Sequence, residues 1–222
     1  LLRSSGTLTG LFYEFVIVTE SDADRAFYQE INERLLRFKP DWGIPNCLFI
    51  HSQNKQTIKT IIKPLRRLGI PAAGIVDVHV LKDGGSVWTE LLSSLNIPDL
   101  EHQALGTIRA AIKRECLSSG KDMRREGGIA ILQPAQREVA NNLFDRLAQY
   151  GLFVVRGGEL ESWLPELGAS GHGPVWLIDV FSKMGEDSER QNYVMPTADD
   201  VWRFISELKV WFIDTTRRGI PA

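Results

Sequence analysis

The sequence predicts an α/β fold: a mostly parallel sheet flanked by helices. Short runs rich in apolar and β-branched residues recur at 15–18, 47–50, 73–80 and 152–155, a length and composition that suit strands buried on both faces. The segments between them repeat apolar residues at helical spacing. Strands that alternate with helices form βαβ units and therefore parallel pairs.

Each element has its own signal. After the first strand, Ser21 caps a helix, with Asp24 three residues on in a capping-box position and Phe27, Ile31 and Leu35 on the core face. A second helix covers 56–68, with Ile58, Ile61, Ile62 and Leu65 inward; Pro64 interrupts the pattern and predicts a kink, and Gly69 ends it. The stretch 86–119 reads as helical throughout, with one stripe of Trp88, Leu91, Leu92 and Leu95 and another of Leu105, Ile108, Ile112 and Leu117. A charged loop follows at 120–128, then a short strand at 129–132 and a helix at 135–150 with Val139, Leu143 and Leu147 inward. The last helix is expected from Thr197, with Asp200 completing a capping pattern, to about 214, burying Val201, Phe204, Ile205 and Leu208. The organisation expected is a linker at 1–10, one domain formed by 11–85 and 129–222, and a helical insertion at 86–128.

The 222 residues carry a net charge of −2, with 43% hydrophobic and 24% charged residues. That composition supports a folded core without staples and contains no run long enough to cross a membrane. Cys47 and Cys116 form no CxxC or zinc pattern, so they read as reduced thiols in a cytoplasmic protein. The chain opens on Leu1 and the small, polar stretch LLRSSGTLTG, which reads as a linker and suggests a piece of a longer protein.

Three strands end in acids. Glu20 and Asp24 follow the first, Asp77 lies within the third with His79 two residues on, and Glu159 and Glu161 follow the strand at 152–155. Ligands of open parallel sheets bind outside the carboxyl ends of the strands, so these residues can converge. Carboxylates suit Mg²⁺ and Mn²⁺, and two such ions can activate a water and stabilise a leaving oxygen in phosphodiester cleavage. On a strand, Asp77 and His79 would point to one face. Gly157 and Gly158 would let the backbone bend close to an ion or phosphate. Asp24 also reads as a helix-start residue, and Glu159 and Glu161 as solvated loop charges. Asp77 is set apart by its apolar flanks, since an acid inside AGIVDVHV is costly to bury without a partner.

Four segments together resemble the Toprim nuclease region of OLD-family (overcoming lysogenization defect) ATP-dependent endonucleases. They are FVIVTESDADRAFY, GIVDVHVLKDGG and GGELESWL, with LFYEFVIVTE similar to the entry into Toprim from the ATPase half; they span about 15–165. The resemblance implies a Toprim-like fold and a DNA endonuclease or nickase using Mg²⁺ or Mn²⁺, two ions in all. Glu20, Asp24, Asp77, His79, Glu159 and Glu161 would hold the metal, with Glu161 a closer counterpart than Glu159. Glu20 and Asp77 would be catalytic, and Lys183, in LIDVFSKMGED, would stabilise the transition state. An exposed surface lysine is the other reading of Lys183. The family usually has Gly where Ser21 stands and a second Asp where His79 stands. An imidazole there would favour Mn²⁺ or weaken the site, and a core-packed His79 is the alternative. The resemblance also implies an N-terminal ABC-type ATPase as partner, because no GxxxxGK[ST] motif is present and ATP would bind only outside this chain. A homo-oligomer is a further possibility.

Lys55, Lys59, Lys63, Arg66 and Arg67 recur at helical spacing, and Lys121, Arg124 and Arg125 cluster in the 120–128 loop, with Lys113 and Arg114 a third group. Each is a candidate DNA-phosphate contact, and each also reads as a solvated face. Two competing functions are a degenerate Toprim module that binds DNA or a protein partner without cleaving, for which His79 speaks, and a receiver-like phosphoacceptor using Asp22, Asp24 and Asp77.

Overall fold

The computed structural model describes residues 7–52 and 55–220, without the side chains of Thr7, Lys55 and Gln56. Within them the chain forms β1 (Phe15–Thr19), α1 (Asp22–Phe38), β2 (Cys47–His51), α2 (Lys55–Arg67), β3 (Ala72–Asp77), α3 (Gly85–Ser94), α4 (Asp99–Ser118), α5 (Pro134–Gln149), β4 (Leu152–Val155), α6 (Pro174–Met184) and α7 (Asp200–Ile213). The α/β class is as expected. All strand pairs are parallel, in the order β2-β1-β3-β4.

The strand sequences explain the layers. Successive side chains point to opposite faces, and both faces are apolar. Val16, Val18, Val76, Leu152 and Val154 pack with α2, α3, α4 and α5 on one side. Ile17, Ala73, Ile75, Phe153 and Val155 pack with α1, α6 and α7 on the other. The chain leaves β1 for β2 across one face through α1. It then reverses direction across the sheet and returns to β3 through α2 on the opposite face, as a constant crossover hand requires. The reversal puts a topological switch between β1 and β3, where open α/β sheets leave a crevice at the carboxyl ends of their strands.

The capping box at α1 is present: Ser21 Oγ accepts from the Asp24 N–H at 3.2 Å, and Asp24 Oδ2 accepts from the Ser21 N–H at 2.8 Å. α2 runs through Pro64 and buries Ile58, Ile61, Ile62 and Leu65 as expected. The segment 86–128 carries α3 and α4, whose buried Trp88, Leu92, Leu105 and Ile112 belong to the same core as the sheet.

Several expectations are corrected. The third strand ends at Asp77, and Val78–Lys82 forms a 3-10 helix, because the Asp77 carboxylate turns to accept the His79 N–H at 2.6 Å and caps that turn. Asp77 and His79 therefore do not share a strand face. Residues 128–131 are a 3-10 helix, not a strand. The buried stripe of α4 is Leu105, Arg109, Ile112 and Cys116, which leaves Leu117 one position off the face and 64% exposed. Val139 is 44% exposed for the same reason, with Ala140 inward in its place. α7 starts at Asp200, because that carboxylate reaches across to the Leu164 N–H at 2.9 Å rather than back into a capping box with Thr197. Residues 7–10, expected within a linker, belong to a 3-10 helix at Thr7–Phe12, and 1–6 lie outside the described residues.

Arg66 is the largest correction among the basic residues. It is 0% exposed. Its guanidinium donates to the carbonyls of Ala72 (2.9 Å), Leu95 (2.9 Å), Tyr150 (2.8 Å) and Gly219 (3.2 Å) and lies 5.3 Å from the Trp211 ring centroid. It ties four segments together and has no face for a phosphate. Burial pulls it down to about 9, still charged at neutral pH, and the carbonyl acceptors favour that charged form.

Candidate functional site

The carboxyl ends of β1, β3 and β4 gather the expected acids. Glu20 directly follows β1, and its Oε1 accepts the Asp77 N–H at 3.0 Å, joining the two strands at the switch. The Val78 N–H donates to the Gly158 carbonyl at 3.0 Å and carries the β3–β4 contact past the strand ends, bringing Asp77 beside Glu159. Tyr28, buried below, is raised well above its ordinary value by burial first, and then by Asp24, Glu20 and Asp77. The sheet and α1 thus focus Glu20, Asp24 and Asp77 on one place, next to Glu159 and Glu161.

A guanidinium sits among these acids. Arg124 Nη2 is 2.5 Å from Glu159 Oε2, and its Nε is 3.5 Å from Asp77 Oδ2. Two glycines hold the 123–128 loop here. Gly158, with φ +133°, lies so close to the Arg124 carbonyl that a Cβ would meet it at 2.1 Å. Gly128, with φ +60°, stands against the Arg156 carbonyl, 1.8 Å from where a Cβ would be. A side chain is excluded at both positions by conformation and by space. Gly128→Ala is expected to undock the loop, at a cost of about 2–4 kcal/mol. Tryptic cleavage after Arg124 or Arg125 should accelerate at least tenfold, and an unchanged cleavage rate would show that the loop is held by other contacts.

His172 is a functional candidate that sequence reasoning missed. It lies in the loop before α6, between Gly171 and Gly173, and its Nδ1 is 2.7 Å from Glu161 Oε1 and 3.8 Å from Glu159 Oε1. The Gly173 N–H donates to the same Glu161 oxygen at 2.6 Å and fixes that carboxylate. Among the described residues, Glu159, Glu161 and His172 are the one set of three donors close enough to share an ion, their atoms lying within 4.8 Å of one another. They open into a cavity of about 630 Å³, shared with Arg124, Arg125, Gly127, Gly157, Ser162 and Gly171. The imidazole beside Glu159 and Glu161 is therefore His172. His79, expected as a ligand, sits on the 3-10 turn after Asp77 and is outside that set. The glycine-flanked histidine in SGHGP was the available signal.

Burial raises Asp24 and Glu159 above their ordinary carboxylate values. Hydrogen bonds from Ser21 oppose the effect at Asp24 and Arg124 opposes it at Glu159, while Glu161 adds to it at both. Ionising such a group works against folding. Its stabilising contribution is complete below the unfolded value, 3.8 for Asp24, and is lost as pH rises through the higher folded value. Asp24→Asn keeps an acceptor for Ser21 and removes the charge. In chelator at pH 7 it is expected to melt a few degrees above the parent, with the two proteins converging near pH 4. A variant that melts lower at pH 7 would show that the capping interaction outweighs the half-buried charge.

The other expected residues are not in this cluster. Lys183 donates to the Gly168 carbonyl at 2.6 Å and pairs with Asp179 at 3.1 Å, and Asp179 in turn accepts the Ser170 N–H at 2.7 Å. Lys183 thus ties α6 to the loop that carries His172, and none of the acids above is among its partners. Lys59 pairs with Glu90 at 2.5 Å. Lys63, Arg67 and Lys121 are exposed, Arg125 lines the cavity, and the side chain of Lys55 lies outside the described residues. Asp22, the other acid of the receiver-like reading, is exposed and pairs with Arg25 at 2.7 Å. Cys47 and Cys116 are both free, and no helix among the described residues is long and apolar enough to cross a membrane. No protein-family model, curated protein or solved structure matches this chain.

Proposed function

We propose that this chain is a divalent-metal-dependent endonuclease or nickase that hydrolyses DNA phosphodiester bonds, the Toprim nuclease half of an OLD-type ATPase–nuclease. The observation that carries the reading is the meeting of Glu20, Asp24, Asp77, Glu159 and Glu161 at the switch between β1 and β3. Five carboxylates so close repel one another and favour a cation among them. The donor set fits Mg²⁺ or Mn²⁺: it is rich in carboxylate oxygen, and Glu159, Glu161 and His172 hold donor atoms within 4.8 Å of one another. When bound, such ions supply the charge that activates a water and stabilises the leaving oxygen.

The chain's own residues do the rest. Glu20 holds the β3 backbone at Asp77 and so fixes the spacing of the two acids. Arg125 lines the cavity with its side chain 66% exposed and offers a guanidinium fork to a phosphate, while Arg124 holds Glu159 and Asp77. Lys183 acts in this reading by holding the His172 loop. Lys63, Arg67 and Lys121 are exposed cations for a DNA backbone, with little base-specific readout. An ABC-type ATPase outside this chain would be the partner, and the free cysteines suit a cytoplasmic setting.

A second reading rests on Arg124. A guanidinium already neutralises Asp77 and Glu159, as expected of a degenerate module that binds DNA or a protein without cutting it. Supercoiled plasmid incubated with Mg²⁺, Mn²⁺, Ca²⁺ or EDTA separates the two. Nicking with Mg²⁺ or Mn²⁺ alone supports the nuclease. A folded chain that leaves the plasmid intact in every metal supports the binding module.

A further inference from the structure

Glu159 has the most confined carboxylate at the site. The residue is 6% exposed, and its two oxygens face different neighbours. Oε2 faces Arg124, which reaches Asp77; Oε1 faces His172, which reaches Glu161. Although Oε2 lies at ion-pairing distance from Arg124, both it and Arg124 Nε are buried without a hydrogen bond of good geometry. The carboxylate is neutralised but poorly satisfied, which is unusual for a buried polar group. Its other oxygen lies in a ring of donors of mixed type, two carboxylates and an imidazole, within 4.8 Å of one another.

We propose that Glu159, Glu161 and His172 bind a transition-metal dication of the Mn²⁺ class, and that His172 makes the site prefer Mn²⁺ to Mg²⁺. The inference deepens the nuclease reading and rests on it for the ion's role in cleavage; the binding itself stands on these three side chains. The chemistry is that of the donors. Magnesium binds imidazole poorly, whereas the transition ions accept nitrogen and oxygen together. Ligands about 2.2 Å from a shared ion lie about 3–4 Å apart, so a shift of about an ångström closes the set. His172 can supply that shift, because its side chain is 58% exposed and it stands between two glycines with positive φ. Glu161 is already oriented by the Gly173 N–H, as metal carboxylates are by their outer partners. Arg125, whose Nε is 3.8 Å from Glu159 Oε1, has a side chain 66% exposed and can withdraw to solvent as the ion enters.

The test uses the full chain, stripped with chelator, and Mn²⁺ or Mg²⁺ alone as the probe. Calorimetry should give Mn²⁺ an affinity at least tenfold above that of Mg²⁺. His172→Ala should weaken Mn²⁺ at least tenfold while changing Mg²⁺ less than threefold. Pulsed electron paramagnetic resonance of bound Mn²⁺ should show a nitrogen coupling that disappears in His172→Ala. Absence of Mn²⁺ binding, a coupling that persists in the variant, or unchanged Mn²⁺ affinity would overturn the inference and leave His172–Glu161 as an ion pair. The nuclease reading fails separately: a chain that binds Mn²⁺ with nitrogen coupling yet nicks no plasmid in any metal retains the metal site and loses the nuclease.

Discussion

Asp77→Asn is expected to abolish metal-dependent plasmid nicking, lowering the rate at least about 100-fold, while leaving the chain folded. The substitution is chosen for what it preserves. Asp77 Oδ1 accepts the His79 N–H and caps the 3-10 turn, and an amide oxygen can do the same. The Asp77 N–H that Glu20 accepts belongs to the backbone and is unaffected. What disappears is the negative charge at the junction of β1 and β3, which pairs with Arg124 at 3.5 Å and would face the ion. The charge loss leaves Arg124 with Glu159 as its remaining close acid, so the guanidinium stays anchored. A melting temperature within a few degrees of the parent, together with lost nicking, assigns the effect to chemistry rather than folding. Nicking reduced less than threefold would remove Asp77 from the site and undermine the proposed function.

The apolar cores of the four strands and the core faces of α1, α2, α3 and α7 were legible because their signals are local. Val16, Ile17 and Val18 are apolar on both faces and can only be interior, and the Ser21–Asp24 capping box depends on four adjacent residues. The positions of Glu20, Glu159 and Glu161 after strands were legible for the same reason, since a parallel sheet gathers its carboxyl ends without further information. The rest depended on contacts across the chain. Whether Asp77 continues a strand or caps a turn is decided by its own carboxylate and by Gly158, residues far from each other in sequence. That His172 rather than His79 meets Glu161 follows from the path of the 163–173 loop, which has no periodicity to read. Arg124 was recognised as basic, but its place among acids follows from two glycine contacts that close a loop onto a turn about thirty residues away. Surface and interior cations look alike in sequence, and helical spacing alone put Arg66 among the DNA contacts.

Arg66→Leu is expected to destabilise the fold by about 3 kcal/mol or more, with no direct effect on metal binding. A leucine is hydrophobic and smaller than arginine, and it removes a buried charge, which by itself favours folding. The charge is not the decisive quantity here. Among the described residues Arg66 pairs with no carboxylate; it satisfies four backbone carbonyls, at Ala72, Leu95, Tyr150 and Gly219. Those oxygens belong to β3, the end of α3, the turn before β4 and the C-terminal segment, and several cannot reach water without movement of the elements that carry them. Each buried acceptor left without a donor costs about 1–3 kcal/mol, and the lost contact with Trp211 adds to the total. Gly151, whose Cβ position lies 2.6 Å from Arg66 Nη2 and 2.5 Å from Trp211, shows how closely the surroundings are fitted to this guanidinium. Arg66→Lys should recover only part of the loss, because three donors on a flexible stem cannot reproduce a planar fork spread over four carbonyls. Urea unfolding measures both variants, read as a lower midpoint at unchanged slope. A DNA-contact role would give the opposite pattern: unfolding midpoints like the parent's and weaker, more weakly salt-dependent DNA binding. A stable Arg66→Leu chain with that binding defect would return Arg66 to the surface.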